Sequence, residues 1–257
     1  MIDPRPEVPQ LIDRPEAEAI SAGTHTDPFA VLGAHRTEHG RVLRVFDPGA
    51  ETLSALMQDG AEVPLAPVPH ARGLFAGLIP EGDYRVRGRG HGNQWEFDDP
   101  YSFGPVLGDM DEYLIAEGTH LRLWTALGAH VMTHEGVHGT HFAVWAPNAQ
   151  RVSVVGDFNG WNGRRHIMRK RGASGISELF LPGVGEGTVY KYELLTYENR
   201  LLPLKADPVG FGAQHAPETA SIVRDISGYG WHDNAWMEER ATTQDVSAPI
   251  SVYEVHL

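Results

Sequence analysis

"RVFDPGAETLSAL" (44–56) and "AVWAPNAQRVSVV" (143–155) are one pattern written twice. In each, an apolar run ends on an aromatic, Phe46 or Trp145, a Pro-containing turn follows, and a second apolar run starts at Leu53 or Val152. The match continues outward in order. "GLFAGLIPEGDYRV" (73–86) lies over "GISELFLPGVGEGTVYKY" (175–192), and "DDPYSFG" (98–104) over "KADPVGFG" (205–212). The offset grows from 99 residues at Val45 and Val144 to 108 at Asp99 and Asp207, as loop insertions would make it. Short apolar runs closed by Gly, Pro or Asp every ten or so residues are the mark of antiparallel sandwiches. The expected fold is therefore all-β, with two tandem immunoglobulin-like β-sandwich domains at 27–106 and 138–226.

The flanks read differently. Residues 1–26 form a Pro-rich lead and a short helix, with Asp13 as cap, Pro15 in the first turn and Gly23 at the stop. A helical connector is expected at 107–137, around "DEYLIAEGTHLRLWTALG" (111–128). The tail, 227–257, reads as a polar, loop-like linker running into an apolar strand at 250–257. A strand needs a partner for its backbone donors and acceptors, so the polypeptide is expected to continue past it.

Composition excludes several partners. The formal net charge of −13 repels phosphate backbones and anionic lipid surfaces, which argues against nucleic acid and membrane as partners. With no cysteine among 257 residues there are neither disulfides nor thiolate ligands, as in a reducing compartment. The N-terminus has no basic start followed by an apolar run, and no stretch approaches the roughly 18 apolar residues of a span. A cytoplasmic monomer is expected.

The loudest motif is "HEGVH" (134–138), which fits the zinc-protease pattern. That chemistry needs both histidines on one helix face, yet Gly136 interrupts the pattern and "THFAVWAP" (140–147) alternates as a strand, so a hairpin is expected and no metal. Gly-rich "PGVGEGT" (182–188) and "GRGHGNQ" (88–94) lack the Lys-Ser/Thr pair and the helix start of a phosphate cradle. The neighbouring carboxylates Asp98 and Asp99, and Glu238 and Glu239, point apart and read as solvated surface. No nucleophile elbow occurs. Neither catalytic residues nor a cofactor are expected here.

What remains is "VVGDFNGWNG" (154–163), where the first copy has "ALMQDGAEV" (55–63). An indole on a turn of small polar residues is misplaced unless it meets something outside the protein. Trp161 could cover the apolar face of a pyranose while Asn159, Asn162 and Lys191 hydrogen-bond its hydroxyls. The alternative is that the ring folds back on its own sandwich as a wedge. Trp124, Trp145, Trp231 and Trp236 read as core or packing residues.

The stretches "DPFAVLGAH" (27–35), "DEYLIAEGTHLRLWTALGAH" (111–130), "FAVWAPNAQRVSVVGDFNGWN" (142–162), "LPGVGEGTVYKYE" (181–193) and "SVYEVHL" (251–257) resemble the front half of bacterial 1,4-α-glucan branching enzymes. Residues 138–226 alone are similar to a family 48 carbohydrate-binding module. The resemblance implies a parent enzyme that transfers α-1,4 glucan segments to 6-hydroxyls with retention, forming the α-1,6 branches of glycogen. It implies that the final segment is the first strand of a truncated (β/α) barrel whose later strands carry the carboxylates. It further implies α-glucan (glycogen, maltooligosaccharides) as partner, with Trp161 stacking and Lys191 hydrogen-bonding. Two departures stand out: "NRLL" (199–202) replaces a second binding tryptophan, and Ser177 replaces the tryptophan of "GIWELF"-type sequences. A stand-alone glucan-binding or targeting module is the rival expectation.

Overall fold

Alternation of apolar and polar residues with tight turns makes every strand of the first copy half-buried, and seven of them pair antiparallel. In the computed structural model, which describes residues 11–255, these are β1 (Gly33–Thr37), β2 (Gly40–Phe46), β3 (Thr52–Met57), β4 (Glu62–Pro67), β5 (Leu74–Leu78), β6 (Tyr84–Gly90) and β7 (Asn93–Phe97). Their order is β1-β2-β5-β4-β3-β6-β7. Strand β4 joins the halves: its centre pairs with β3 (Leu53↔Leu65) and its end with β5 (Pro67↔Phe75).

The second copy repeats this topology. Its strands are β8 (Gly128–His134), β9 (Val137–Trp145), β10 (Arg151–Gly156), β11 (Arg169–Arg171), β12 (Ile176–Pro182), β13 (Val189–Leu195) and β14 (Ser221–Ile222). They form the sheets β8-β9-β12-β11 and β10-β13-β14; β8 to β13 repeat the order of β1 to β6, while the place of β7 is taken by single bridges from Leu201 and Lys205 to β13, and β14 is an addition after Asp207. The crossing made by β4 recurs: Ile167 bridges Ser153 on β10, and two residues later β11 pairs with β12. Strand β8 occupies the end of the stretch read as helical connector, because "GAHVMTH" alternates and pairs along its whole length with β9. The connector's helix is shorter, α2 at Asp109–Glu117, while α1 precedes the first copy at Arg14–Ala22, with Gly23 left-handed at its end.

Each copy closes over its own core. Leu43, Val45, Leu53, Phe75 and Val86 meet in the first, and Phe142, Val144, Val154, Leu179, Tyr190 and Tyr192 in the second. A buried carboxylate marks equivalent places: the Tyr84 hydroxyl donates to Asp99 at 2.8 Å, and the Tyr190 and Tyr192 hydroxyls donate to Asp207 at 2.7 and 3.1 Å. Both aspartates also accept from a backbone N–H two residues on, Tyr101 and Val209. Asp99 is thus no solvated residue, being 3% exposed, and burial pushes its carboxyl up to about 6.

The copies are tied together by Tyr101, whose hydroxyl receives the Ile167 N–H at 3.0 Å, and by Arg165, which pairs with the buried Asp47 at 3.3 Å. The connector is clamped by Glu178, 2% exposed, which accepts from the Val106 and Leu107 N–H groups at 3.1 and 3.0 Å and from His141 at 2.9 Å. Burial alone would push this carboxyl up, but the His141 and Leu107 hydrogen bonds and the charge of Arg171 outweigh it and hold it below the usual glutamate value.

Residues 225–255 form a separate unit. The linker read as loop contains helix α3 (Asn234–Thr243). The expected terminal strand is absent among the described residues: 251–255 pair with nothing, and Val252 and Tyr253 are 84% and 92% exposed. A β-strand requires a neighbour for its backbone groups, and this unit supplies none. The Pro-rich lead at 1–10 and the last two residues of that segment lie outside the described residues.

Candidate functional site

Strand β10 ends at Gly156, just past the residues that bond to the 166–168 segment on its outer side, and the chain then turns through a short 3-10 helix, Asp157–Asn159. Gly160 and Trp161 both take left-handed backbone conformations, at φ of 61° and 57°. For glycine this is free, but for a bulky residue it costs about 1–2 kcal/mol and is kept only where the surroundings fix it. Here they do. The Trp161 N–H donates to the Gly156 carbonyl at 3.0 Å, and its indole N–H donates to Asp157 at 2.8 Å. The ring is half-buried and its polar edge is turned back to the loop.

Asn159 is what holds the turn. Its side chain is 2% exposed, its carbonyl oxygen accepts from the Gly156 N–H at 3.1 Å, and its amide nitrogen donates to the Val154 carbonyl at 2.9 Å and to His166 Nδ1 at 3.0 Å. The sequence reading has this amide facing a ligand, whereas the structure turns it inward, because the edge strand's outward-pointing donors and acceptors need a partner. Its bond to His166 requires an unprotonated Nδ1, and burial pushes that imidazole down to about 3.

Lys191 stands on β13 opposite Val155, on the outer face of the sheet, since Tyr190 and Tyr192 point into the core. Its ammonium donates to the Thr219 hydroxyl at 2.7 Å. Because Gly156 pairs with Tyr190 and anchors the Trp161 backbone, Trp161 and Lys191 attach to one corner of the sheet. Asn162 is half-buried, and its carbonyl oxygen accepts from the Arg164 backbone and Nε at 3.2 Å each. The structure thus brings Trp161, Lys191 and Asn162 to the outside of one loop-and-strand corner and withdraws Asn159 as their support.

Elsewhere the aromatic assignments invert. Trp124, Trp145, Trp231 and Trp236, read as packing residues, are 49–73% exposed. Trp145 shows why: on β9 Val144 points into the core, so its neighbours face the other side, where Ala143 is covered by Leu127 and Ile176 and Trp145, at the strand's end, is left 57% exposed. "HEGVH" forms the β8–β9 hairpin, with Glu135 and Gly136 left-handed at its tip and His134 and His138 on different strands. No group of three metal-ligating side chains occurs among the described residues.

Fold and corner define the class: a tandem β-sandwich whose second copy carries a half-buried tryptophan on the loop after β10. Residues 13–101 match the family described as alpha-1,4-glucan branching enzyme GlgB, N-terminal domain, and residues 126–210 match Carbohydrate-binding module 48 (Isoamylase N-terminal domain). The 1,4-alpha-glucan branching enzyme GlgB of Roseobacter denitrificans is 55% identical over 251 residues, covering 96% of this chain and 34% of the relative. That of Paramagnetospirillum magneticum is 52% identical over 255 residues, 98% of this chain and 34% of its own. Among solved structures, a pullulanase from Anoxybacillus sp. LM18-11 aligns over 74% of this chain and 27% of its own at 16% identity, with a TM-score of 0.34. Over nearly its whole length the chain matches the N-terminal region of 1,4-alpha-glucan branching enzymes. It spans about a third of the length of the curated relatives it matches.

Proposed function

We propose that this chain is the glucan-binding front of a 1,4-α-glucan branching enzyme, and that Trp161, Lys191 and Asn162 are the surface that receives the glucan. The whole protein then transfers α-1,4 segments to 6-hydroxyls, and this stretch adds affinity for the polymer and none of the reacting carboxylates. The observation that carries the reading is the left-handed Trp161 on a turn fixed from beneath by Asn159, for strain of this kind collects where a side chain must be presented. A neutral ligand suits a chain of net charge −13, as does an existence in the cytoplasm as a monomer away from nucleic acid and membranes. No helix among the described residues is long and apolar enough to cross a membrane.

Titration of maltoheptaose by calorimetry tests the site. Trp161→Ala removes the stacking face and is expected to weaken binding by about 1–3 kcal/mol, with Lys191→Ala weaker by about 1 kcal/mol. Equal affinity in wild type and Trp161→Ala contradicts the assignment.

A further inference from the structure

Aligning the two copies by strand register exposes one large-to-small exchange. In the first copy Val45 pairs with Phe75 and Pro67 flanks it; in the second Val144 pairs with Ser177 and Lys170 flanks it. Phe75 is 4% exposed and part of the core that Val45 and Leu53 share. Ser177 lies on the same side of β12 as the core residues Leu179 and Leu181, so where a phenyl ring fills the first sandwich a hydroxymethyl group stands in the second. Ser177 is itself covered to 2% exposure, and it forms the floor of a surface cleft. The cleft has a volume of about 200 Å³ and is lined by Ser177, Ala146, Pro147, Gly175, Lys170 and Tyr197.

Its rim is held in place. Ser174 accepts the indole N–H of Trp145 at 3.1 Å on its carbonyl, donates its hydroxyl to the Arg171 carbonyl at 2.6 Å, and receives the Ile176 N–H at 3.2 Å, while the Ala146 N–H reaches the Gly175 carbonyl at 2.8 Å. Tyr197 stands 62% exposed with the Lys170 ammonium 5.3 Å from its ring centre and 3.4 Å from its hydroxyl. An aliphatic cavity of about 150 Å³ takes a benzene ring, and drug-sized ligands need about 300 Å³ or more, so this cleft fits one substituted six-membered ring. Its polar inventory selects which. Ser177 and Tyr197 offer hydroxyls, Lys170 an ammonium, Tyr197 an aromatic flank, and no carboxylate is among the described residues that line it.

We infer that the Ser177 cleft is a second carbohydrate subsite, taking a single pyranose such as the end of an α-glucan chain. It rests on the reading of this chain as a glucan binder but uses none of the residues of the Trp161 corner.

The test is a ¹H–¹⁵N NMR titration of the 257-residue chain with maltotriose, alongside Trp161→Ala, Ser177→Phe and Tyr197→Ala. Expected are shifts of the 172–177 and 197 amides in wild type that persist in Trp161→Ala, vanish in Ser177→Phe, and need about tenfold more sugar in Tyr197→Ala. Ser177→Phe installs the ring that the first copy already accommodates, and Tyr197→Ala changes an exposed residue, so the pair guards against a variant that fails to fold. If these amides do not move, or move equally in Ser177→Phe, the cleft is a packing gap and the inference falls. It falls too if inorganic phosphate moves them and maltotriose does not. Shifts here with none at residues 157–163 retain the subsite and refute the Trp161 corner; the reverse pattern refutes the subsite alone.

Discussion

Replacing Asn159 with alanine strikes the feature on which the exposed corner depends. The Val154 carbonyl and the Gly156 N–H lie just past the end of the pairing between β10 and residues 166–168, and His166 Nδ1 faces them; Asn159 serves all three at 2.9–3.1 Å. Leaving a buried polar group unsatisfied costs about 1–3 kcal/mol, so three of them, partly relieved by entering water, come to about 3–6 kcal/mol. That is a large fraction of the roughly 5–15 kcal/mol by which domains are stable. Urea unfolding followed by far-UV circular dichroism gives the stability, and tryptophan fluorescence in native buffer reports on the loop. Asn162→Ala, at a half-exposed residue of the same loop, is expected to change stability by less than about 0.5 kcal/mol. A loss below about 1 kcal/mol in Asn159→Ala, or equal losses in the two variants, refutes the inward assignment of this amide.

Further outcomes follow from the buried charges. The His166 ring, followed by NMR from pH 7 downward, is expected to titrate near 3 rather than near 6.5. Because its folded value is depressed, it stabilises the fold above pH 6.5 and loses that contribution, about 3–5 kcal/mol in full, as the pH falls toward 3; His166→Gln removes this part of the acid sensitivity. Glu178→Ala takes the carboxylate from the connector's two N–H groups, His141 and Arg171, and is expected to cost about 3–5 kcal/mol in urea unfolding at pH 7. Its folded value is also lowered, so in wild type the contribution disappears as the pH drops below the ordinary glutamate range.

The repeat was legible in the sequence because both copies keep the residues that shape turns and cores: Pro48 and Pro147, Leu53 and Val152, Asp99 and Asp207. The topology repeats over six strands of each copy. What lies between the alternating runs was harder to read. Asn159 looks like any polar turn residue, and only the three-dimensional edge of β10 turns it inward. Asp99 looks solvated beside Asp98, yet a tyrosine fifteen residues earlier draws it under the sheet. Trp145 was misplaced because an apolar stretch hides which residue of an alternation faces out. The α3 helix lacks an apolar face and had no periodicity to find. The Ser177 exchange shows only when the registers of both copies are laid side by side.

The most direct measurement is the indole region of a ¹H–¹⁵N spectrum of the 257-residue chain, which holds six tryptophans, during titration with maltoheptaose. The Trp161 indole resonance is expected to move most, together with the backbone amides of 157–163 and Lys191. If it stays fixed while the sugar binds elsewhere, or if no resonance moves, the second sandwich does not receive glucan at this corner.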